Sequence, residues 1–392
     1  MRVPLVASSE WDIGTIQGVH GSVHPASLVV CDLDDDGEDE VILGTTEGQL
    51  LVFRLSEPTP LAAVSGLYTI NEVVAGEVLG IPKALAVCCL EGLVKVWTLT
   101  VATPNNTSDP LEVRRCFNVG ANLTSICRMG KRLVAYTLDR RLHVYGMESD
   151  NPTHRLIVTH AVFSMVAWKD SSLLAASSHG LYIVDIDTQK VNEYPLQATR
   201  VQTALTRLRD HAVFPTPIVV CSEDGTVALF HLTECDVPPT KLWEVHLPKV
   251  LVLRPLLLVD ADNTLYVVVT GWSGDATIIR SVDGKCIETS LAESVTALVM
   301  MQHTGWLLAI TFTRMLVFPN LGDLAMKAFC FDSKPFVRCC LQEEEEEEEE
   351  KRGQGEAHGT ALLTEEQRAV LRQRLVSGLD EATAMRKLLH GW

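Results

Sequence analysis

The sequence predicts an all-β protein, a seven-bladed β-propeller with a short C-terminal helical tail. Three observations carry that reading. A hairpin-like unit recurs along the chain as "ILGTTEGQLLVF", "AVCCLEGLVKVW", "VAYTLDRRLHVY", "AASSHGLYIVD", "VVCSEDGTVALF", "VVTGWSGDATII" and "LAITFTRMLVF". Its second strands end near Phe53, Trp97, Tyr145, Val184, Phe230, Ile279 and Phe318, so successive units lie 39 to 49 residues apart. Short strands repeating at roughly 40–50 residues are the sequence mark of propeller blades. Helical periodicity, finally, is scarce before residue 340.

Each unit begins upstream of its hairpin with a further apolar run, such as "SLVVC", "SICRM", "FSMVAW" or "SVTALVMM". Within the hairpins the alternation is that of strands: Val94 and Val96 point one way and Lys95 the other. Each unit thus has at least three strands, with a weaker fourth in the connecting segment. One such sheet leaves a face bare, whereas seven packed radially bury both faces and leave only short edges. Closure of the ring calls for a blade shared between the chain ends. "WDIGTIQG" near the N-terminus is the candidate strand beside "LAITFTRMLVF".

Composition agrees with a large folded core. Apolar residues make up 47% of the 392 residues, and the formal net charge is -17, from 50 acidic against 33 basic side chains. An acidic balance with no basic patch argues against nucleic acid as a ligand, because phosphate binding needs clustered Lys and Arg. "MRVPLVASSEW" lacks the apolar stretch of a secretory signal, and the most apolar region is interrupted by Arg254, Pro255, Asp260 and Asp262. Direct membrane insertion is therefore not expected. Eleven scattered cysteines without CxxC spacing read as small hydrophobes of a reduced, cytoplasmic chain.

One stretch stands out chemically. "VVCDLDDDGEDEVILG" places Asp32, Asp34, Asp35, Asp36, Glu38 and Asp39 within eight residues. Alternate carboxylates with a glycine at the tight turn suit a hard cation such as Ca²⁺, and Asp32, Asp34, Asp36, Glu38 and Glu40 are the candidate ligands. Position twelve is Leu43 and strands flank the loop, so it is not an EF-hand. The spacing matches the D-x-D-x-D-G-x-x-D/E loop of FG-GAP repeats. The other reading is a metal-free turn, since Asp-Gly pairs make good turns and acidic residues keep an edge soluble. Both readings stand at this stage. No cofactor is expected, apart from Ca²⁺ held weakly if the loop takes it. Catalytic signatures such as G-x-S-x-G, HExxH, a Walker loop or GxGxxG do not occur, and the twelve histidines are dispersed. The chain reads as a non-enzymatic protein-binding platform. A hydrolase or lyase working in the propeller channel would need His, Asp or Glu side chains converging on the channel mouth.

After the propeller, taken as residues 1–341, eight consecutive glutamates open a segment, 342–361, that reads as an acidic flexible linker. "TEEQ" is a capping-box sequence at Thr364, and Asp380 can cap a second helix, so 362–392 reads as a helical pair. Such a pair cannot bury its own apolar face, and Leu371, Leu375, Leu388 and Leu389 are the expected anchors on a partner surface.

Three stretches together resemble one family. They are "HPASLVVCDLDDDGEDEVILGTTEGQLLVF", "GWSGDATIIRSVDGKCIETSLAESVTAL" and "LDEATAMRKLLHG", and they look like the integrin-alpha FG-GAP repeat-containing protein 2 family, whose members are subunits of the KICSTOR complex. The resemblance spans the chain, although the middle blades agree only in pattern. The glutamate run and the short chain depart from the family. The resemblance implies a scaffold that helps recruit the negative regulator of Rag GTPases to the lysosome and so silences the target-of-rapamycin kinase on nutrient loss. The partners it implies are a second, kaptin-like propeller and a large scaffold subunit, through which the chain would associate with the lysosomal membrane. An adaptor of a trafficking or ciliary coat complex is the alternative.

Overall fold

The computed structural model describes residues 2–4, 7, 9–12, 21–54, 59–99, 110–196, 202–207, 217–251, 253–259, 264–271, 273–291, 294–301, 306–312 and 314–318. Two units divide the chain, Met1–Ser333 and Lys334–Trp392. The second lies wholly outside the described residues, as do the expected linker and helical pair.

Seven sheets, antiparallel apart from one added edge strand, make a seven-bladed propeller. Blade 1 shows the plan: Val23–Cys31 is innermost, followed outward by Glu40–Thr45, Leu50–Arg54 and Ala62–Val64. Blades 2 to 5 repeat it over 70–118, 123–157, 162–195 and 202–246. The hairpins seen in the sequence are the second and third strands of each blade. Every position at which they end, from Phe53 to Phe318, falls on a third strand.

Second strands are buried on both faces, because neighbouring blades cover both. Glu40–Thr45, Ser172–Ser177 and Leu265–Thr270 are buried at every position. The outermost strands are the weak fourth ones. Thr240–His246 and Lys190–Pro195 are half-buried or exposed throughout, so their apolar pattern is faint. Hydrophobic packing is concentrated between blades. Among the described residues one apolar cluster fills each of the seven interfaces. That between blades 7 and 1 joins Leu308, Met315 and Val317 to Val41, Leu43 and Phe53.

Closure joins the chain ends. Ser9–Asp12 is the outermost strand of blade 7, antiparallel to Arg314–Phe318, with Trp11 opposite Met315. The N-terminus does supply the closing strand, but it begins at Ser9, earlier than "WDIGTIQG", and residues 13–18 lie outside the described ones. Arg2–Pro4 adds a fifth, parallel strand to Cys286–Ser290 in blade 6. Three residues are too few for any periodicity to reveal them.

Polar contacts bind the outer strands of blades 2, 4 and 5 to the next blade. Arg115 of blade 2 donates to Asp150 of blade 3 at 2.9 Å, and Asn192 of blade 4 to Asp236 of blade 5 at 2.9 Å. Trp243 of blade 5 donates its indole N–H to the Ser281 carbonyl of blade 6 at 2.7 Å. At the opposite end, glycine in the hairpin turn lets blades approach. Gly48 (φ 79°) and Gly92 (φ 101°) each face the backbone of the next inter-blade connection, where a Cβ would collide. This is the physical content of the recurring "EG" in the sequence.

Candidate functional site

The acidic loop joins the first two strands of blade 1. Asp35 and Gly37 adopt φ of 72° and 88°, the left-handed region that Asp and Gly tolerate best. Asp32 organises the turn: Oδ1 accepts from the Asp35 N–H at 2.6 Å and Oδ2 from the Gly37 N–H at 3.1 Å. Partial desolvation pushes its carboxyl up, but those N–H donors win and hold it below its ordinary value. Asp36 Oδ1 accepts from the Glu38 N–H at 2.8 Å. Glu40 is fully buried and accepts from the Leu33 N–H at 2.7 Å through Oε2. Its pKa is raised, first by burial, against the Leu33 N–H, and further by the nearby Asp34 carboxylate.

Of the candidate ligands, Asp32, Asp34 and Glu40 place one carboxylate oxygen each within 4.8 Å of one another. Asp36 and Glu38, both exposed, do not join that group. What sits among them is Arg54. Its Nη2 is 2.6 Å from Asp34 Oδ2 and also contacts Asp36 Oδ2, while Nε is 3.3 Å from Glu40 Oε1. Lys83 of blade 2 pairs with Asp35. Ca²⁺ takes ~6–8 oxygen ligands at roughly 2.3–2.6 Å. Here three of the carboxylates are held by a guanidinium and the fourth by backbone N–H groups. With Arg54 in place, this donor set does not fit a resident divalent cation. Arg54 was legible in principle: counting outward from the turn, Gly44 opposite Leu50 puts Glu40 opposite Arg54.

A second polar cluster lies at the channel. Glu72, on the innermost strand of blade 2, is 1% exposed. Its Oε1 pairs with Arg254, which precedes the innermost strand of blade 6. Oε2 accepts from Ser125 Oγ at 2.8 Å and the Ile126 N–H at 2.7 Å, both on blade 3. Blades 2 and 6 are not neighbours, so this ion pair spans the channel. His24 of blade 1 lies beside it. Burial lowers its pKa, with Glu72 pulling the value up and Arg254 pushing it down. Side chains do converge on the channel, where Glu72 accepts from three donors and ties blades 2, 3 and 6 together. No sequence signal links residues 182 positions apart.

The anchors expected in the tail, Leu371, Leu375, Leu388 and Leu389, lie outside the described residues. Among the described residues no helix is long and apolar enough to cross a membrane.

The fold and these two clusters define a class, the seven-bladed β-propeller. No protein-family model matches the chain, and no curated protein does. Solved structures do. BBS1N, solved in complex with ARL6DN, matches with a TM-score of 0.63 at 16% identity, over 82% of this chain and 99% of that one. The propeller domain of Cps50 (Swd1) from Myceliophteria thermophila matches at 0.61 and 13% identity, over 81% and 99%. A chain of the mitotic checkpoint complex matches at 0.63 and 10%, over 81% and 93%. At these identities the likeness is one of fold.

Proposed function

We propose that this chain is a non-enzymatic propeller scaffold of a KICSTOR-like complex. In that role it helps recruit the negative regulator of Rag GTPases to the lysosome and suppresses target-of-rapamycin signalling when nutrients fall. The observation that carries the scaffold reading is where apolar surface remains. The exposed aromatic side chains among the described residues, Tyr68 (57% exposed), Phe163 (45%) and Phe312 (66%), lie with Leu138 (53%) on the end of the ring where the innermost strands begin, while Val282 (68%) and Met147 (49%) are exposed at the other end. Aromatic side chains left in water on one end suit contact with a partner. The KICSTOR part rests on the resemblance of three sequence stretches. In cells lacking the chain, the kinase should stay active through amino-acid withdrawal, and re-expression should restore its silencing. Normal silencing without the chain would refute the proposal.

The second reading is an adaptor of a trafficking or ciliary coat complex. BBS1N, which shares the fold, was solved in complex with ARL6DN, so a propeller of this shape can serve as a docking subunit. On that reading the chain co-purifies with coat subunits instead.

A further inference from the structure

We propose that Arg54 is the built-in cation of the blade 1 acidic loop, which makes the loop a metal-independent turn with a latent divalent-cation site beneath the guanidinium. Glu40 and Arg54 are directly opposite in the ladder between Glu40–Thr45 and Leu50–Arg54. The guanidinium therefore enters the loop from the blade's own third strand, in a register that the flanking pairs fix. It reaches three carboxylates at once, on Asp34, Asp36 and Glu40. Two of these are withdrawn from solvent: the Asp34 side chain is 7% exposed and that of Glu40 is 0%. Buried carboxylates need a charged partner, and Arg54 supplies it without any ion from solution. A planar fork with several fixed donors suits this better than a point charge.

Asp32 and Asp35 are engaged as well. Both oxygens of Asp32 accept backbone N–H groups, and Asp35 is held by Lys83 from the neighbouring blade. A divalent cation would have to displace Arg54 from all three partners to gain Asp34, Asp36 and Glu40 as ligands. Removing the side chain frees those oxygens around a small, partly buried space with strong negative charge. That is the ligand chemistry of a hard cation of the Ca²⁺ class.

The test is a Ca²⁺ titration of the full chain, read by melting temperature and by competition with luminescent Tb³⁺. The wild type should show no saturable response up to millimolar Ca²⁺. Arg54→Met should melt lower without Ca²⁺ and regain stability saturably with it, and Asp34→Asn with Asp36→Asn on that background should abolish the gain. Saturable Ca²⁺ binding by the wild type, lost in Asp34→Asn with Asp36→Asn, would overturn the proposal. So would a folded Arg54→Met protein indifferent to Ca²⁺. Should Arg54→Met not fold, recovery of folding on adding Ca²⁺ supports the proposal, and the wild-type titration decides in any case.

Discussion

Glu72 and Arg254 meet across the channel although 182 residues separate them, and the carboxylate is buried while the guanidinium keeps about a third of its side chain in water. Arg254→Met should leave Glu72 buried without its charge partner. Breaking a buried pair costs roughly 3–5 kcal/mol, and partial exposure of Arg254 places this case at about 2–3 kcal/mol. Adding Glu72→Gln should recover much of the loss, because a neutral amide oxygen still accepts from Ser125 and Ile126. Urea denaturation of the single and double variants would show it. Equal stability of Arg254→Met and wild type would mean the pair does not form.

Deleting residues 1–16 should open the ring. Two strands are lost, Arg2–Pro4 from blade 6 and Ser9–Asp12 from blade 7, and both leave an unpaired edge. The truncated protein should melt lower and self-associate on gel filtration. A monomer that melts like the full chain would contradict the closure.

Acid should weaken the fold through two histidines. Burial is the largest cause of lowered pKa for both His24 and His143, whose ordinary value is 6.5. Around His24, Glu72 opposes the shift and Arg254 reinforces it; around His143, Asp139 opposes it and Arg155 and Arg141 reinforce it. A depressed pKa means that the unfolded chain binds more protons just below 6.5. Stability from these groups is thus complete above pH 6.5 and lost as pH falls through the lowered values. The urea midpoint should drop between pH 7 and pH 5, and His24→Gln with His143→Gln should flatten that drop. An unchanged slope in the double variant would remove the assignment.

The aromatic end of the ring should matter for partners and not for folding. Leu138→Asp with Phe312→Asp changes two exposed positions, so the melting temperature should hold within a few degrees while partner recovery falls. Undiminished recovery would place the binding surface elsewhere.

The tail offers an independent test. Cutting after Gln342, or replacing Leu388 and Leu389 with Asp, should leave a folded propeller that binds its complex less well. Burial of such leucines is worth about 1.5–3 kcal/mol each. Full recovery of every partner by both variants would make the tail dispensable.

How much of this was legible in the sequence follows from what each element buries. The second and third strands stand between two blades, so runs such as "EVILGT" and "LLVF" are strongly apolar and periodic, and blade number and spacing could be read from them. Outer strands such as Lys190–Pro195 show a faint apolar pattern because no position along them is fully buried. The acidic loop was visible as a carboxylate cluster, but its chemistry depends on Arg54, which lies across a hairpin and reads in sequence as an ordinary strand end. Glu72 and Arg254 sit in separate blades, and only ring closure brings them together.

Affinity capture of the full chain from cells, with mass spectrometry of what co-purifies, identifies the complex it belongs to. The scaffold account predicts stoichiometric recovery of a kaptin-like propeller and a large scaffold subunit, reduced by Leu138→Asp with Phe312→Asp. Recovery of trafficking or ciliary coat subunits in their place would contradict it.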